Sequence, residues 1–241
     1  CVAVVKLSNG TYMPLDPTWV PFCRELWSSA EQQQNYLPGV PEGSDLCITP
    51  VSAPENHYVR IKADNRLDAD GTLRGTFTLT AEGQSDSNIR RIFTTGFRSE
   101  WKNTMESQLL AISPKAKLLS VDYGKNPKDY QAAPIKITFR YEIPDYALKG
   151  EKEMFFRPLV MNNLYNQVRS YLRIDTSLEE RKYGFKDGCS RLVELDETIQ
   201  LPAGYKLANA DKNETMQGTG ADFEGSLAQQ GNKVLLHNKL A

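Results

Sequence analysis

Asp16 is the residue whose surroundings most clearly suggest chemistry. It ends a strand-like segment and is followed by Pro17 and Thr18. Because proline fixes its own φ angle and restricts the residue before it, this carboxylate would be held rigidly. A rigid carboxylate beside a strand is what a catalytic triad uses to orient an imidazole. An aspartate in this position also caps turns through its own backbone, so the short motif leaves both roles open.

Other nucleophiles and bases are few in this sequence. The cysteines are Cys1, Cys23, Cys47 and Cys189, and the histidines are His57 and His237. A cysteine needs a nearby base to form a thiolate at neutral pH, and the two prolines between Cys47 and His57 give no reason for these two to meet. We therefore expect no catalytic cysteine, no metal site and no cofactor within this sequence. A disulfide between Cys23 and Cys47 stays open as an alternative for an exported protein.

Composition excludes several classes of protein. The chain has 241 residues, of which 40% are hydrophobic and 24% charged, as in a soluble globular protein. Its 29 basic and 30 acidic residues give a net charge of −1, so no overall positive field recruits nucleic acid. No apolar run approaches the roughly 20 residues that span a bilayer. Nucleic-acid binding and a transmembrane segment are therefore not expected.

The elements that must position Asp16 begin with a hairpin. Residues 2–7 and 11–15 read as strands joined by Asn9-Gly10, which is a strong hairpin signal. Both ends of the chain lie in strand-like patterns, so we expect a piece cut from a longer protein. Prolines near residue 55 predict a first boundary, which gives a unit over residues 1–54.

Two further units are predicted after that boundary. Residues 55–150 combine alternating strands with one long helix over about 87–113, which is an α+β unit with an antiparallel sheet. Residues 151–241 show short strands separated by turn residues, as in a β-sandwich that is truncated at its C terminus. The predicted fold class is therefore α+β, mainly β.

Residues 2–18 resemble the end of a transglutaminase-like core, the papain-related Cys-His-Asp fold. In that family a returning strand ends in a Leu-Asp-Pro-Thr-like sequence, which here is Leu15 to Thr18. Segments 140–147 and 199–205 look like the regions that follow the core in multidomain proteins of Bacteroidetes type, which carry domains of unknown function 3857 and 3858.

The resemblance implies a function for the parent protein and not for this chain alone. Asp16 would take the role of the triad aspartate, and Trp19 would shield the His-Asp pair from solvent. The family's histidine would fall immediately before Cys1, and its nucleophilic cysteine farther upstream. The parent would be a cysteine hydrolase or protease that cleaves amide bonds in a polypeptide or glycan substrate, and it would be exported, periplasmic or at the cell surface. Without the N-terminal part of the core, this chain is predicted to be inactive.

A second hypothesis is a non-catalytic binding module. In that case the β-rich units would recognise a polypeptide or a glycan at the cell surface. The presence or absence of a cysteine and a histidine upstream of Cys1 distinguishes the two hypotheses.

Overall fold

The computed structural model describes residues 1–16, 31–162, 177, 179–180, 182–184 and 189–241. Within these ranges strands predominate and there are two α-helices. The predicted α+β, mainly β class is therefore confirmed.

Most of the strands belong to one large sheet. The elements before it are β1 (Ala3–Lys6), β2 (Tyr12–Leu15), β3 (Asn35–Tyr36) and β4 (Cys47–Ile48). The next elements are β5 (Tyr58–Leu67), β6 (Leu73–Ala81), α1 (Gly83–Thr95), α2 (Trp101–Leu110), β7 (Lys117–Asp122) and β8 (Ile135–Ile143). After these come β9 (Leu148–Lys149), β10 (Met154–Phe155), β11 (Leu192–Gln200), β12 (Lys212–Gln217), β13 (Asp222–Gln230) and β14 (Lys233–Leu240).

The large sheet has eight strands in the order β12-β13-β14-β11-β5-β6-β8-β7. Neighbours are antiparallel except β11 and β5, which run parallel with Val193 opposite Val59. The predicted boundary near residue 150 is therefore crossed by strand pairing. The later strands extend the same sheet, where the sequence predicted a separate β-sandwich. Short alternating strands look alike in sequence whether they start a second layer or lengthen the first one, because both cases bury one face.

Alternation explains which face of the sheet is buried. In β5 every second side chain from Val59 to Leu67 is buried, and the residues between them are exposed. Tyr58, which precedes them, is half-buried. The same period occurs in β8, from Ile135 to Ile143. These buried residues form the inner face of the sheet. α1 packs against β5, β6 and β8, and α2 packs against β7.

The predicted single helix is two helices. Gly96 is extended, with φ −98° and ψ 158°, and it ends α1. The break allows the chain to turn, so that the Trp101 ring lies 5.1 Å from the Phe93 ring and 5.6 Å from the Tyr123 ring. Phe97, which the helical pattern assigned to the buried stripe, is 76% exposed at this corner. The apolar residues of α2 continue the helical spacing of those in α1 almost without a shift. The spacing alone therefore did not reveal the turn of the chain between the two helices.

Candidate functional site

The N-terminal hairpin places Asp16 at the end of its second strand. β1 and β2 pair antiparallel, with Ala3 opposite Leu15. Gly10 in the turn has φ +83°, a conformation that favours glycine, and the predicted hairpin is confirmed. Asp16 directly follows β2 and is only 4% exposed. Trp19, the predicted shield, lies outside the described residues.

The hairpin register determines what Asp16 faces. If the pairing of Ala3 with Leu15 is continued by one residue, Val2 stands opposite Asp16. Residues directly opposite share a face of the hairpin, and so do diagonal neighbours two positions along. A residue immediately before Cys1 would therefore lie diagonal to Asp16 and on the same face.

The hairpin also exposes apolar side chains. Val2, Val5 and Leu7 are 43%, 44% and 37% exposed. In the described part of the chain β1 pairs only with β2, and a lone two-stranded hairpin is marginally stable in water. Val5 and Leu7 lie on one face of the hairpin and Val2 on the other, so apolar side chains are exposed on both faces.

His57 is buried, and hydrogen bonds fix its ring. Its Nδ1 accepts the N–H of Gln84 at 3.3 Å, and its Nε2 lies 2.7 Å from the Ser52 hydroxyl oxygen. Because Nδ1 accepts a hydrogen bond, the neutral ring carries its proton on Nε2, and this N–H donates a hydrogen bond to the Ser52 hydroxyl. A general base must instead accept the proton of its nucleophile. The Ser52–His57 pair is therefore arranged as a structural contact and not as a catalytic dyad.

His237 belongs to a row of side chains that the sequence analysis missed. Its Nδ1 lies 2.7 Å from the Asp196 carboxylate, and Ser226 stands directly opposite it on β13. Only strand register brings these three together, so their wide separation in sequence gave no signal. The row lies on the outer face, where the backbone N–H groups of β13 and β14 already pair within the sheet. It thus lacks the free donors that stabilise an oxyanion.

The described cysteines are free thiols. Cys1 is exposed, Cys47 is half-buried and Cys189 is buried. Cys47 stands opposite Tyr36, whose pKa is raised by burial and by the neighbouring thiol. Because Cys47 is free, the disulfide that the sequence left open is not formed, and Cys23 itself lies outside the described residues.

A cavity of about 690 Å³ opens on the inner face beside the end of β5. Its floor is formed by Leu67, Leu201 and Val234, which are at most 6% exposed. Its walls come from residues 152–158, residues 201–208 and Leu227. The volume lies within the range of small-molecule binding sites. Five separate parts of the chain form this cavity, so no local sequence pattern could predict it.

Hydrogen bonds fix both walls of the cavity. The Tyr146 hydroxyl donates to the Arg157 carbonyl at 2.6 Å. On the other side the Leu207 N–H donates to the Gln229 side chain at 2.6 Å. Each wall is therefore held by a hydrogen bond within the protein.

A buried polar network anchors the wall near Pro158. Glu197 accepts hydrogen bonds from the Asn65 amide at 2.7 Å and from the Val160 N–H at 3.0 Å. The Tyr141 hydroxyl donates to the Asn65 oxygen across β6. Gly75 on β6 makes this possible, because a Cβ there would lie 2.1 Å from the Asn65 oxygen. The network thus ties β8, β5 and β11 to the turn that follows Pro158.

Burial raises the pKa of the Glu197 carboxyl, and its hydrogen bonds from Val160 and Asn65 oppose that shift. Burial also raises the pKa of Tyr141 well above its usual value, so this hydroxyl stays protonated and donates.

Comparisons with protein-family models, with curated proteins and with solved structures find no match to this chain. In the described ranges no helix is both long and apolar enough to cross a membrane. Nor do three or more His, Cys, Asp or Glu side chains cluster there as metal ligands would.

Proposed function

We propose that this chain is the C-terminal region of a transglutaminase-like cysteine hydrolase that cleaves amide bonds. The parent protein would be exported, and Asp16 would orient a histidine contributed by the sequence before Cys1. The chain by itself would be inactive, because an aspartate can only orient a histidine and a histidine can only activate a thiol.

The hairpin register is the observation that carries this proposal. The resembled family has its histidine immediately before the residue that is Cys1 here. If the pairing of β1 with β2 continued beyond Ala3 and Leu15, that position would lie on the same face as Asp16, at a diagonal. Asp16 is buried, as an orienting carboxylate must be. The exposed Val2 and Val5 also fit a hairpin that belongs to a larger core.

The chemistry would divide between this chain and its upstream part. An upstream thiolate would attack the amide carbon, so that a C–S bond forms and the C–N bond breaks. The imidazolium would give its proton to the leaving amine, and water would then hydrolyse the thioester. Asp16 would hold the imidazole in the right tautomer and stabilise its charged form.

The test uses the longer protein that contains the native sequence upstream of Cys1. Asp16→Ala and Asp16→Asn should each lower amidase kcat by about 10²- to 10⁴-fold. They should also raise the pH at which the upstream cysteine is alkylated, since the imidazolium beside it would be less stable. Asp45→Ala, at an exposed aspartate of the same unit, is the matched control. The proposal fails if Asp16→Asn leaves both kcat and the alkylation profile unchanged.

A second candidate function is a non-catalytic binding module for a polypeptide or glycan at the cell surface. The cavity beside β5 favours it, because hydrogen bonds hold its walls and its volume suits a bound ligand. A parent protein that lacks an upstream cysteine and histidine would make this the better account.

A further inference from the structure

We propose that the cavity beside β5 binds a single-chain amphiphile that carries a negative charge, such as a fatty acid. This inference concerns the same cavity as the second candidate function but gives it an amphiphile in place of a polypeptide or glycan, and it does not depend on Asp16.

The lining of the cavity selects an apolar chain. Leu67 and Val234 are 1% exposed at its floor, and Phe156, Leu207 and Leu227 stand along its sides. A glycan would need several polar groups aimed inward to replace the hydrogen bonds that it makes with water. This lining instead favours an apolar chain, because binding removes the methylene groups of the ligand from water.

Two exposed lysines in the lining of the cavity favour a ligand with a negative head group. Lys152 and Lys206 both line the cavity and are exposed, and neither forms an ion pair with a residue that the structure describes. Glu153 is the one acidic residue in the lining. Its carboxylate lies against Gly150, where an added Cβ would be 3.8 Å from Oε1. Two unpaired lysines thus remain for the head group of a bound anion.

The size of the cavity favours one chain over a bilayer surface. The cavity is a recess of about 690 Å³ with fixed walls, and its floor lies on buried strands of the sheet. A surface that lies on a bilayer needs an extended apolar face with a basic border. Of the large apolar residues that line this recess, only Phe155, at 59%, is exposed, and the others are buried or half-buried. A free amphiphile therefore fits better than a membrane.

The test compares three probes of equal chain length by calorimetry, each below its micelle concentration. They are sodium dodecanoate, dodecyltrimethylammonium and dodecyl maltoside. Dodecanoate should bind most tightly, at least tenfold more tightly than the cation. The double variant Lys152→Glu/Lys206→Glu should weaken dodecanoate binding by about 5- to 25-fold, since each exposed charge contributes up to about 1 kcal/mol. Lys212→Glu, on exposed strand β12, is the matched charge control.

Variants that fill the cavity locate the binding. Leu227→Trp should abolish the binding of all three probes, and Leu207→Trp on the opposite wall should do the same. Either variant suffices if the other fails to fold, which circular dichroism would show. Undiminished dodecanoate binding in a folded filled variant would contradict the assignment to this cavity.

The outcomes separate the ligand class from the binding function. Equal affinity for all three probes would support an apolar ligand in this cavity and would overturn the proposal that the ligand is an anion. No binding of any probe would overturn this inference and leave a polypeptide or glycan as the candidate ligand. Sedimentation with phosphatidylglycerol vesicles, without dodecanoate binding, would overturn the inference in favour of a membrane surface.

Discussion

Replacing Asn65 with leucine should test whether the polar network under the cavity wall is a chain of mutually dependent bonds. Asn65 is 6% exposed, and it is the only link between the Tyr141 hydroxyl and Glu197 that the described residues provide. Leucine at this position can neither accept from Tyr141 nor donate to Glu197. Two buried polar groups would lose partners, at about 1–3 kcal/mol for the hydroxyl and somewhat more for the carboxyl. We expect Asn65→Leu to lower the free energy of unfolding by about 3–5 kcal/mol.

The double variant with Tyr141→Phe makes the prediction sharper. In the wild type, Tyr141→Phe should cost about 1–2 kcal/mol, because the Asn65 oxygen loses its donor. In the Asn65→Leu background the hydroxyl is already without a partner, so its removal should restore about 1–2 kcal/mol. The sign of the Tyr141→Phe effect should therefore reverse.

Urea unfolding with a constant m-value is the assay for this cycle. Asn213→Leu, on exposed strand β12, is a control that should change stability by less than about 0.5 kcal/mol. If Tyr141→Phe destabilises the Asn65→Leu protein as much as the wild type, the two bonds are independent and the reasoning about the network is wrong.

Three further predictions concern buried charges and backbone strain. Arg90→Met should cost about 3–5 kcal/mol in urea unfolding, because Asp86 would stay buried without its cation; an effect below about 1 kcal/mol would contradict this. Gly83→Ala should destabilise more than Gly43→Ala. Both have positive φ, but only at Gly83 would a Cβ meet backbone, 2.3 Å from a carbonyl oxygen, so equal effects would refute the steric argument. Burial raises the pKa of Glu197 above 4.5, so the folded state holds this proton more tightly. Relative to Glu197→Gln, the wild type should lose stability as the pH rises from 4.5 through the folded pKa, and a rise would refute the shift.

Local signals in the sequence were sufficient for the elements of the fold. The Asn9-Gly10 turn predicted the first hairpin, and alternating apolar and polar residues predicted β5, β6 and β8. These signals depend on residues close together in the chain, and so they survive in any tertiary arrangement. The strand-ending position of Asp16 was predicted for the same reason.

Tertiary structure alone decided how those elements combine. The parallel pairing of β11 with β5 joins segments that the sequence assigned to two units. Alternation shows that a strand has one buried face, but it does not show which strand lies beside it. The corner at Gly96 was hidden because the helical period resumes in nearly the same phase.

The candidate sites divide in the same way. Asp16 could be selected from sequence because its rigidity comes from the proline that follows it. The Asn65–Glu197 bond, the row from Ser226 to Asp196 and the cavity beside β5 could not be selected. Each is created by register between strands that are distant in sequence, and register is fixed by the burial of a whole sheet face. The sequence by itself determined the strands and the place of Asp16, and the packing of the sheet decided which side chains meet.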